Sequence, residues 1–226
     1  MNKSIILLSG GLDSVVALAY SLNHTNYNIK LALTFDYGQK AIESEISASK
    51  NICKYYKIEH KIIKLDWLKD ITQTSLVSDK QIPSSNLETK ESASSVWVPN
   101  RNALFLNIAA CYCDSYNYNY IIFGANKDES NTFPDNTEEF RKLASELFKV
   151  STLKAPQVVA PLINYSKDDI VKIAIEDSIP LELIRSCYNS SKLHCGMCES
   201  CKRLKRALIT NKCEEYINIL FENDEN

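Results

Sequence analysis

The stretch that decides the fold reads Ser4-Ile5-Ile6-Leu7-Leu8-Ser9-Gly10-Gly11-Leu12-Asp13-Ser14. Its first part is apolar up to Leu8, as expected for a parallel strand that is buried on both faces. Beyond the two glycines, apolar residues recur with helical spacing as far as Leu22. The stretch therefore predicts a strand, a glycine turn and a helix with one apolar face.

Further apolar runs along the chain predict more strands, over residues 29–35, 62–65, 120–123 and 158–160. Segments with helical spacing separate them, and one predicted helix follows Pro99-Asn100. Another begins at a capping box formed by Ser166 and Asp169. This alternation predicts an α/β fold with a doubly wound, mostly parallel, five-stranded sheet.

The composition is that of an ordinary globular protein. Of 226 residues, 45% are hydrophobic and 24% are charged, and this length favours one main domain. A net charge of -2 predicts small-molecule substrates and no stable nucleic-acid partner. The apolar run before the first glycine is too short for a signal peptide or a membrane span, so we expect a cytoplasmic protein without membrane contact.

The glycine loop is placed where an open parallel sheet binds ligands, beyond the carboxyl end of a strand. Gly10 and Gly11 leave room for backbone N–H groups to close around phosphate oxygens, and the helix that follows adds its positive end. Ser9 and Ser14 can donate hydroxyl hydrogen bonds. We interpret Asp13 as a ligand of the Mg²⁺ that accompanies ATP, because an aspartate facing the phosphates directly would repel them.

Two adjacent glycines alone are equally typical of a plain turn between a strand and a helix. The loop lacks the Gly-Lys-Ser/Thr ending of a Walker A loop and the spacing of the dinucleotide fingerprint. The whole hexapeptide at residues 9–14 therefore carries the argument for phosphate binding.

A second pattern lies near the C-terminus, where four cysteines are spaced C-x7-C-x2-C-x2-C. Four thiolates at such short spacing are typical of a tetrahedral structural zinc site, although iron–sulfur clusters also use C-x2-C-x2-C runs. We leave His194 off the metal site and expect it to be solvated. The predicted ligands are Cys187, Cys195, Cys198 and Cys201.

The other four cysteines are interpreted as small buried hydrophobic residues, at Cys53, Cys111, Cys113 and Cys213. We predict that residues 1–180 form the main domain and that residues 181–226 form a small helical subdomain that binds zinc through four cysteines. Residues 66–98 are polar and serine-rich, which predicts a lid-like or disordered insertion.

The sequence Ser-Gly-Gly-Leu-Asp-Ser at residues 9–14 resembles the PP-loop of the ATP pyrophosphatase family, whose members cleave ATP between the α and β phosphates. That resemblance implies an adenine nucleotide alpha hydrolase-like fold. It also implies that a substrate oxygen attacks the α-phosphate, forms an adenylate and releases pyrophosphate.

Three further elements are similar to one family, the 7-cyano-7-deazaguanine synthases: Thr-Phe-Asp-Tyr-Gly-Gln at 34–39, Val-Pro-Asn-Arg-Asn at 98–102 and the cysteine quartet. The resemblance implies an ATP-dependent ligase that converts 7-carboxy-7-deazaguanine and ammonia to the nitrile in queuosine biosynthesis. It also implies a homodimer.

The resemblance assigns roles to individual residues. The catalytic residues it implies are Asp13, Ser14 and Arg101. The residues implied in ATP binding are Leu8, Ser9, Gly10, Gly11, Leu12, Asp13, Ser14, Tyr37, Gly38 and Gln39. Those implied in substrate binding are Arg101, Asn126, Phe133 and Asp135.

This chain departs from the family pattern at three positions near the implied substrate segment. Phe133 lacks the usual phenol, Glu129 stands where an aspartate is common, and Asn136 replaces a frequent cysteine. These departures leave the purine that is recognised open. A tRNA-thiolating or GMP-synthetase-like member of the superfamily is the alternative, and a non-enzymatic zinc ribbon would leave residues 9–14 unexplained.

Overall fold

The computed structural model describes residues 2–82 and 95–222, and its strands form one parallel sheet. The order in the sheet is β3-β2-β1-β4-β5, and every neighbouring pair is parallel. This confirms the predicted doubly wound fold. The strands are β1 (Asn2–Leu7), β2 (Tyr27–Asp36), β3 (Glu59–Lys64), β4 (Tyr120–Ile122) and β5 (Gln157–Val159).

The third strand begins three residues before the predicted start at Ile62. Its first residues, Glu59, His60 and Lys61, are polar, and β3 lies at the edge of the sheet. An edge strand is only partly covered, so it does not need the continuous apolar run that marks the central strands.

The helices of the described residues follow the predicted alternation. The Ser166 hydroxyl accepts a hydrogen bond from Asp169 N, and the Asp169 carboxylate accepts one from Ser166 N, which confirms the capping box. The α-helices are α1 (Leu12–His24), α2 (Ile42–Tyr56), α3 (Arg101–Tyr116), α4 (Lys127–Ser130), α5 (Glu138–Ser151), α6 (Lys167–Glu176), α7 (Glu199–Thr210) and α8 (Glu215–Leu220).

The sheet is covered on both faces. Successive residues of a strand point to opposite faces, and in β1 Ile6 packs among residues of α1, α6 and α7, whereas Ile5 packs with Phe105 and Leu106 of α3. Residues of the C-terminal region belong to the first of these clusters, including Cys201. The cysteine-rich region is therefore anchored in the same apolar core as β1.

The described part of residues 66–98 packs on the rest of the chain. Leu76 and Val96 are buried, and the Ser75 N–H donates to the Ser95 carbonyl at 2.8 Å, which joins the two ends of the segment. Residues 83–94, on which the lid-like or disordered prediction also falls, lie outside the described residues. Within the described ranges, no helix is both long and apolar enough to cross a membrane.

The chain order of the strands reverses between β1 and β4, which are neighbours at the centre of the sheet. A crevice opens at such a switch point because the loops after the two strands run to opposite faces. Gly124, just after β4, lies close to the start of α1, since a Cβ atom there would be 2.8 Å from Ser14 N. The fold thus opens a cleft beside the glycine loop.

Candidate active site

A cleft of about 270 Å³ lies at the carboxyl ends of the central strands. Its lining comes from positions between Leu7 and Ser200, and it includes most of the glycine loop. The position agrees with the rule that ligands of doubly wound sheets bind at the switch point. The cleft is therefore the candidate active site.

The glycine loop has the shape that phosphate binding requires. Gly10 has a φ of 79°, a left-handed conformation that favours glycine, and a Cβ atom there would lie 2.7 Å from Ala48 Cβ. The Ser14 hydroxyl donates to the Gly11 carbonyl at 3.0 Å and accepts from Ser9 N at 3.3 Å, so it ties the loop together. Such a loop presents backbone N–H groups at the positive end of α1.

Asp13 is ion-paired with a residue that the sequence analysis did not single out. The Lys167 Nζ atom lies 2.6 and 2.7 Å from the two Asp13 carboxylate oxygens and 3.9 Å from Glu129 Oε1. Lys167 is 7% exposed. Burial works to lower its pKa, but the two carboxylates outweigh burial and raise it, so the ammonium stays charged beside the loop.

Arg101 begins α3, as predicted, and faces the cleft. One guanidinium nitrogen donates to the Tyr37 hydroxyl at 3.0 Å, and the guanidinium carbon lies 5.8 Å from the Tyr37 ring centroid. Burial works to lower the pKa of Arg101, but Tyr37 and Asp135 outweigh it and raise the pKa above its ordinary value. Arg101 thus offers a permanent positive charge to an anionic group in the cleft.

The Gln39 side chain forms hydrogen bonds with three groups near the end of β2. Its side-chain oxygen accepts from Tyr37 N at 3.0 Å, so its amide nitrogen faces the Phe35 carbonyl at 3.0 Å and Glu45 Oε2 at 2.8 Å. Burial raises the pKa of Glu45. Glu45 also lines the cleft, although the sequence analysis did not assign it a role.

One wall of the cleft is aromatic. The rings of Trp97 and Phe133 stack with centroids 5.6 Å apart and planes inclined by 9°. Asp135 lies next to this pair, and its carboxylate accepts from Asn102 N at 3.4 Å and from the Asn136 side chain at 3.1 Å. Burial raises the pKa of Asp135. Stacking surfaces beside hydrogen-bonding groups are suited to a flat heteroaromatic ligand.

The four predicted metal ligands converge at a second site. The Sγ atoms of Cys187, Cys195, Cys198 and Cys201 all lie within 4.8 Å of one another, and those of Cys195 and Cys201 are 3.9 Å apart. Four thiolates around one tetrahedral zinc ion would be about 3.8 Å apart. An iron–sulfur cluster distributes its four thiolates over at least two irons, which places some of the sulfur atoms farther apart, so the geometry favours a single ion.

Two expectations from the sequence are wrong, namely that His194 is solvated and that Cys111 is buried. His194 is 2% exposed rather than solvated: its Nε2 accepts from Ser186 N at 3.0 Å, its Nδ1 bonds the Leu220 carbonyl at 3.0 Å, and burial lowers its pKa to about 4. Cys111 is exposed, because it lies on the outer side of α3. The prediction of burial is confirmed for Cys53, Cys113 and Cys213.

A family model described as "Queuosine biosynthesis protein QueC" matches residues 3–212. The chain belongs to the QueC family.

Curated relatives agree with this assignment over nearly their whole length. A protein of Carboxydothermus hydrogenoformans named 7-cyano-7-deazaguanine synthase is 49% identical over 92% of this chain and 98% of its own. One of Methanosarcina barkeri with the same name is 46% identical over 91% of this chain and 93% of its own. The QueC assignment therefore covers both the cleft and the cysteine quartet.

Solved structures share the fold at low sequence identity. A 4-thiouridine synthetase in complex with RNA and ATP has a TM-score of 0.56 at 21% identity, over 95% of this chain and 53% of its own. The U34-tRNA thiolase NcsA of Methanococcus maripaludis, with its 4Fe-4S cluster, has a TM-score of 0.51 at 18% identity, over 95% and 66%. This QueC family chain spans less than two thirds of either protein, and the likeness shows the fold alone.

The structure brings most, but not all, of the predicted QueC site residues to the cleft. Gly10, Gly38 and Asn126 are not among the described residues that line it. Asn126 is fully buried and caps α4, because its Oδ1 accepts from Glu129 N at 3.0 Å. The predicted residues in the lining are Leu8, Ser9, Gly11, Leu12, Asp13, Ser14, Tyr37, Gln39, Arg101, Phe133 and Asp135.

Lys167, Glu45 and Trp97 are among the cleft residues that sequence reasoning missed in this QueC family member. Lys167 is the first residue of α6 and follows the N-cap residue Ser166, but no local pattern distinguishes it from other lysines. Only the packing of α6 beside α1 brings it to Asp13, 154 positions away in the chain.

Proposed function

We propose that this QueC family chain is a 7-cyano-7-deazaguanine synthase, an ATP-dependent ligase that converts 7-carboxy-7-deazaguanine and ammonia to the nitrile. The observation that carries the proposal is the single cleft in which the phosphate loop, Arg101 and the aromatic pair meet. The cleft thereby offers sites for nucleotide phosphates, a substrate anion and a flat ring side by side.

The proposed chemistry proceeds through two adenylations. The substrate carboxylate oxygen attacks the α-phosphorus of ATP, a new O–P bond forms, and pyrophosphate leaves. Ammonia then adds to the acyl carbon and AMP leaves, which gives the amide. The amide oxygen attacks a second ATP in the same way, and loss of AMP with two protons leaves the C≡N bond.

The chain's own groups act on charge and position in this scheme. The loop amides and Lys167 hold the phosphates, and Arg101 holds the carboxylate beside the α-phosphorus. Trp97 and Phe133 hold the ring, and Asp135 accepts hydrogen bonds from it. No protein nucleophile is required, because ATP supplies the activated bond and the site supplies orientation.

We propose that Mg²⁺ is bound with ATP and that Asp13 supplies one ligand oxygen. The ion neutralises charge on the phosphates when it is bound. The ion pair with Lys167 fits this role, since it fixes the position of the Asp13 carboxylate next to the loop.

The cysteine quartet is proposed to hold one structural zinc ion per chain. Support comes from the four Sγ atoms within 4.8 Å and from hydrogen bonds to sulfur, such as Cys198 N to Cys195 Sγ at 3.4 Å. We also propose that the protein is cytoplasmic, since ATP is abundant there, and that it has no stable nucleic-acid partner, since the substrates are small. The family resemblance supports a homodimer.

The test uses purified protein with ATP, Mg²⁺, 7-carboxy-7-deazaguanine and ammonium chloride. We expect the nitrile by mass spectrometry, with two AMP and two pyrophosphate per nitrile. Omitting ammonium should abolish the nitrile, and a colourless protein with one zinc per chain is expected. AMP release that requires tRNA and a sulfur donor, or a brown iron-containing protein, would contradict the proposal and support the thiolation alternative.

A further inference from the structure

The cleft and the cysteine centre touch through two consecutive residues. The Arg185 N–H donates to the Gly10 carbonyl at 2.7 Å, and the Ser186 hydroxyl accepts from the Leu12 N–H at 3.0 Å. The next residue along the chain is Cys187, the first thiol of the quartet. The phosphate loop is therefore held by the residues that lead into the cysteine centre.

The Arg185 side chain extends this connection in the other direction. The side chain is buried, and its guanidinium donates to the backbone carbonyls of Asn189 at 3.2 Å, Lys192 at 3.4 Å and Ser191. These carbonyls belong to the loop between the first two cysteines of the quartet. One residue thus contacts the phosphate loop through its backbone and shapes the thiol-bearing loop through its side chain.

Ser186 is held from the side of the cysteine centre as well. Its N–H donates to His194 Nε2 at 3.0 Å, and His194 precedes the second thiol, Cys195. The His194 backbone is fixed in turn, because its N–H donates to the Leu220 carbonyl at 2.8 Å. The position of the Ser186 hydroxyl consequently depends on the folded C-terminal region.

Helix α1 needs a cap from elsewhere in the chain. Its N-cap residue is Gly11, which has no side chain to accept from the first N–H groups of the helix. Ser186, 174 positions away, supplies the missing oxygen to Leu12. The N–H groups at this helix end are also the donors that a phosphate would use.

We propose that Ser186 is a positioning residue that couples the cysteine centre to nucleotide binding. Its hydroxyl sets the orientation of the first turn of α1, and a metal ion on the quartet holds Ser186 in place. The inference rests on the proposed function only in that the loop binds ATP phosphates. Since coupling free energies are reciprocal, a bound nucleotide must also raise the affinity of the quartet for the metal.

The test compares Ser186→Ala, Ser186→Thr and a control, Ser190→Ala, all loaded with zinc. Ser190 is exposed and four residues from the loop contact, so it is matched in type and in neighbourhood. Binding of a non-hydrolysable ATP analogue is measured by calorimetry. Loss of one capping hydrogen bond should weaken binding by about tenfold in Ser186→Ala, whereas Ser186→Thr and Ser190→Ala should stay within about threefold of the native protein.

The second readout is the equilibrium affinity for zinc, measured by competition with a coloured chelator, with and without the analogue. The analogue should raise the zinc affinity of the native protein and of Ser186→Thr, and should raise it less in Ser186→Ala. If Ser186→Ala loses its zinc on purification, the native protein and Ser186→Thr decide this readout. Unchanged analogue affinity in Ser186→Ala, or a zinc affinity that the analogue leaves unaltered in the native protein, overturns the coupling.

The test of the coupling and the test of nitrile formation can fail independently of each other. A protein that binds the analogue and shows the coupling, yet makes no nitrile from the deazapurine, would refute the activity and keep the coupling. A protein that makes the nitrile but shows no coupling would support the activity and refute the coupling.

Discussion

The cysteine centre and the cleft are built in opposite ways. The centre draws its four thiols from residues 187–201 and closes them within 4.8 Å of one another, whereas the cleft is lined from positions between Leu7 and Ser200. Thiols at short spacing need only a tight turn to converge. The cleft needs the whole sheet, because its groups meet only where several strands end at one edge.

The two sites also differ in how they handle charge. The cleft buries Lys167 beside Asp13, and it keeps Arg101 facing Tyr37 and Asp135. Buried charges of this kind cost folding free energy unless they are paired, so their presence indicates a site arranged for a charged ligand. The centre instead concentrates its ligand atoms on one point. We therefore expect substitutions in the cysteine centre to unfold part of the chain, and substitutions in the cleft to lower turnover.

The largest effect is expected for Cys198→Ala. With three thiols left, we expect loss of the metal and unfolding of residues 187–222, because structural zinc contributes on the order of 10 kcal/mol to small metal-dependent folds. Metal analysis and limited proteolysis measure the two outcomes. Cys111→Ala is the control, since Cys111 is exposed and outside the quartet. One metal ion retained per chain in Cys198→Ala would show that the centre does not need all four thiols.

A smaller effect on folding, but a large one on turnover, is expected for Asp13→Asn. The change leaves the Lys167 ammonium without its nearest carboxylate, and we expect nitrile formation to fall about a thousandfold, with a loss of up to about 3 kcal/mol in unfolding free energy. Steady-state kinetics measures the rate of nitrile formation, and urea unfolding measures the free energy of unfolding. Near-native turnover would remove Asp13 from the mechanism.

Lys167→Gln separates the two roles given to Asp13. This variant keeps the carboxylate and removes its ion-pair partner. If Asp13 binds Mg²⁺, the Mg²⁺ concentration for half-maximal rate should rise in Asp13→Asn and stay near the native value in Lys167→Gln. An equal rise in both variants would mean that Asp13 acts only by holding Lys167.

The third prediction concerns Arg101→Lys, which preserves the charge but loses the planar fork. We expect kcat to fall by roughly a hundredfold while the thermal midpoint changes little, because the helix start at Arg101 tolerates lysine. Lys142→Arg on the exposed side of α5 is a matched surface control. A kcat within about threefold of native in Arg101→Lys would show that charge alone suffices at this position.

The smallest effect is expected for alkylation of cysteines outside the quartet. Burial raises the pKa of Cys53 and of Cys113 to about 12, so few thiolates are present at about pH 8. Iodoacetamide at that pH should label Cys111 and leave Cys53 and Cys113 unmodified, with no change in turnover. Peptide mass spectrometry measures which cysteines are alkylated. Labelling of Cys53 at the rate of Cys111 would contradict the burial described above.

Features set by neighbours along the chain were predictable. The buried strand and helix of residues 4–22, the capping box at Ser166 and the cysteine quartet each depend on spacing within a short segment. The cap from Ser186 to Leu12 and the ion pair from Lys167 to Asp13 join residues 174 and 154 positions apart. Serine and lysine are common residues, so no local sequence pattern predicts the roles of Ser186 and Lys167.

The sequence pattern was enough to predict the parallel α/β sheet, the glycine loop at its carboxyl edge and the four cysteines that converge. Periodicity and short spacing encode those features directly. The folded chain was needed to find that His194 is buried, that Asn126 is buried outside the cleft lining, and that Ser186 caps α1. Each of these depends on which distant segments pack together, because burial and long-range hydrogen bonds belong to the folded chain as a whole.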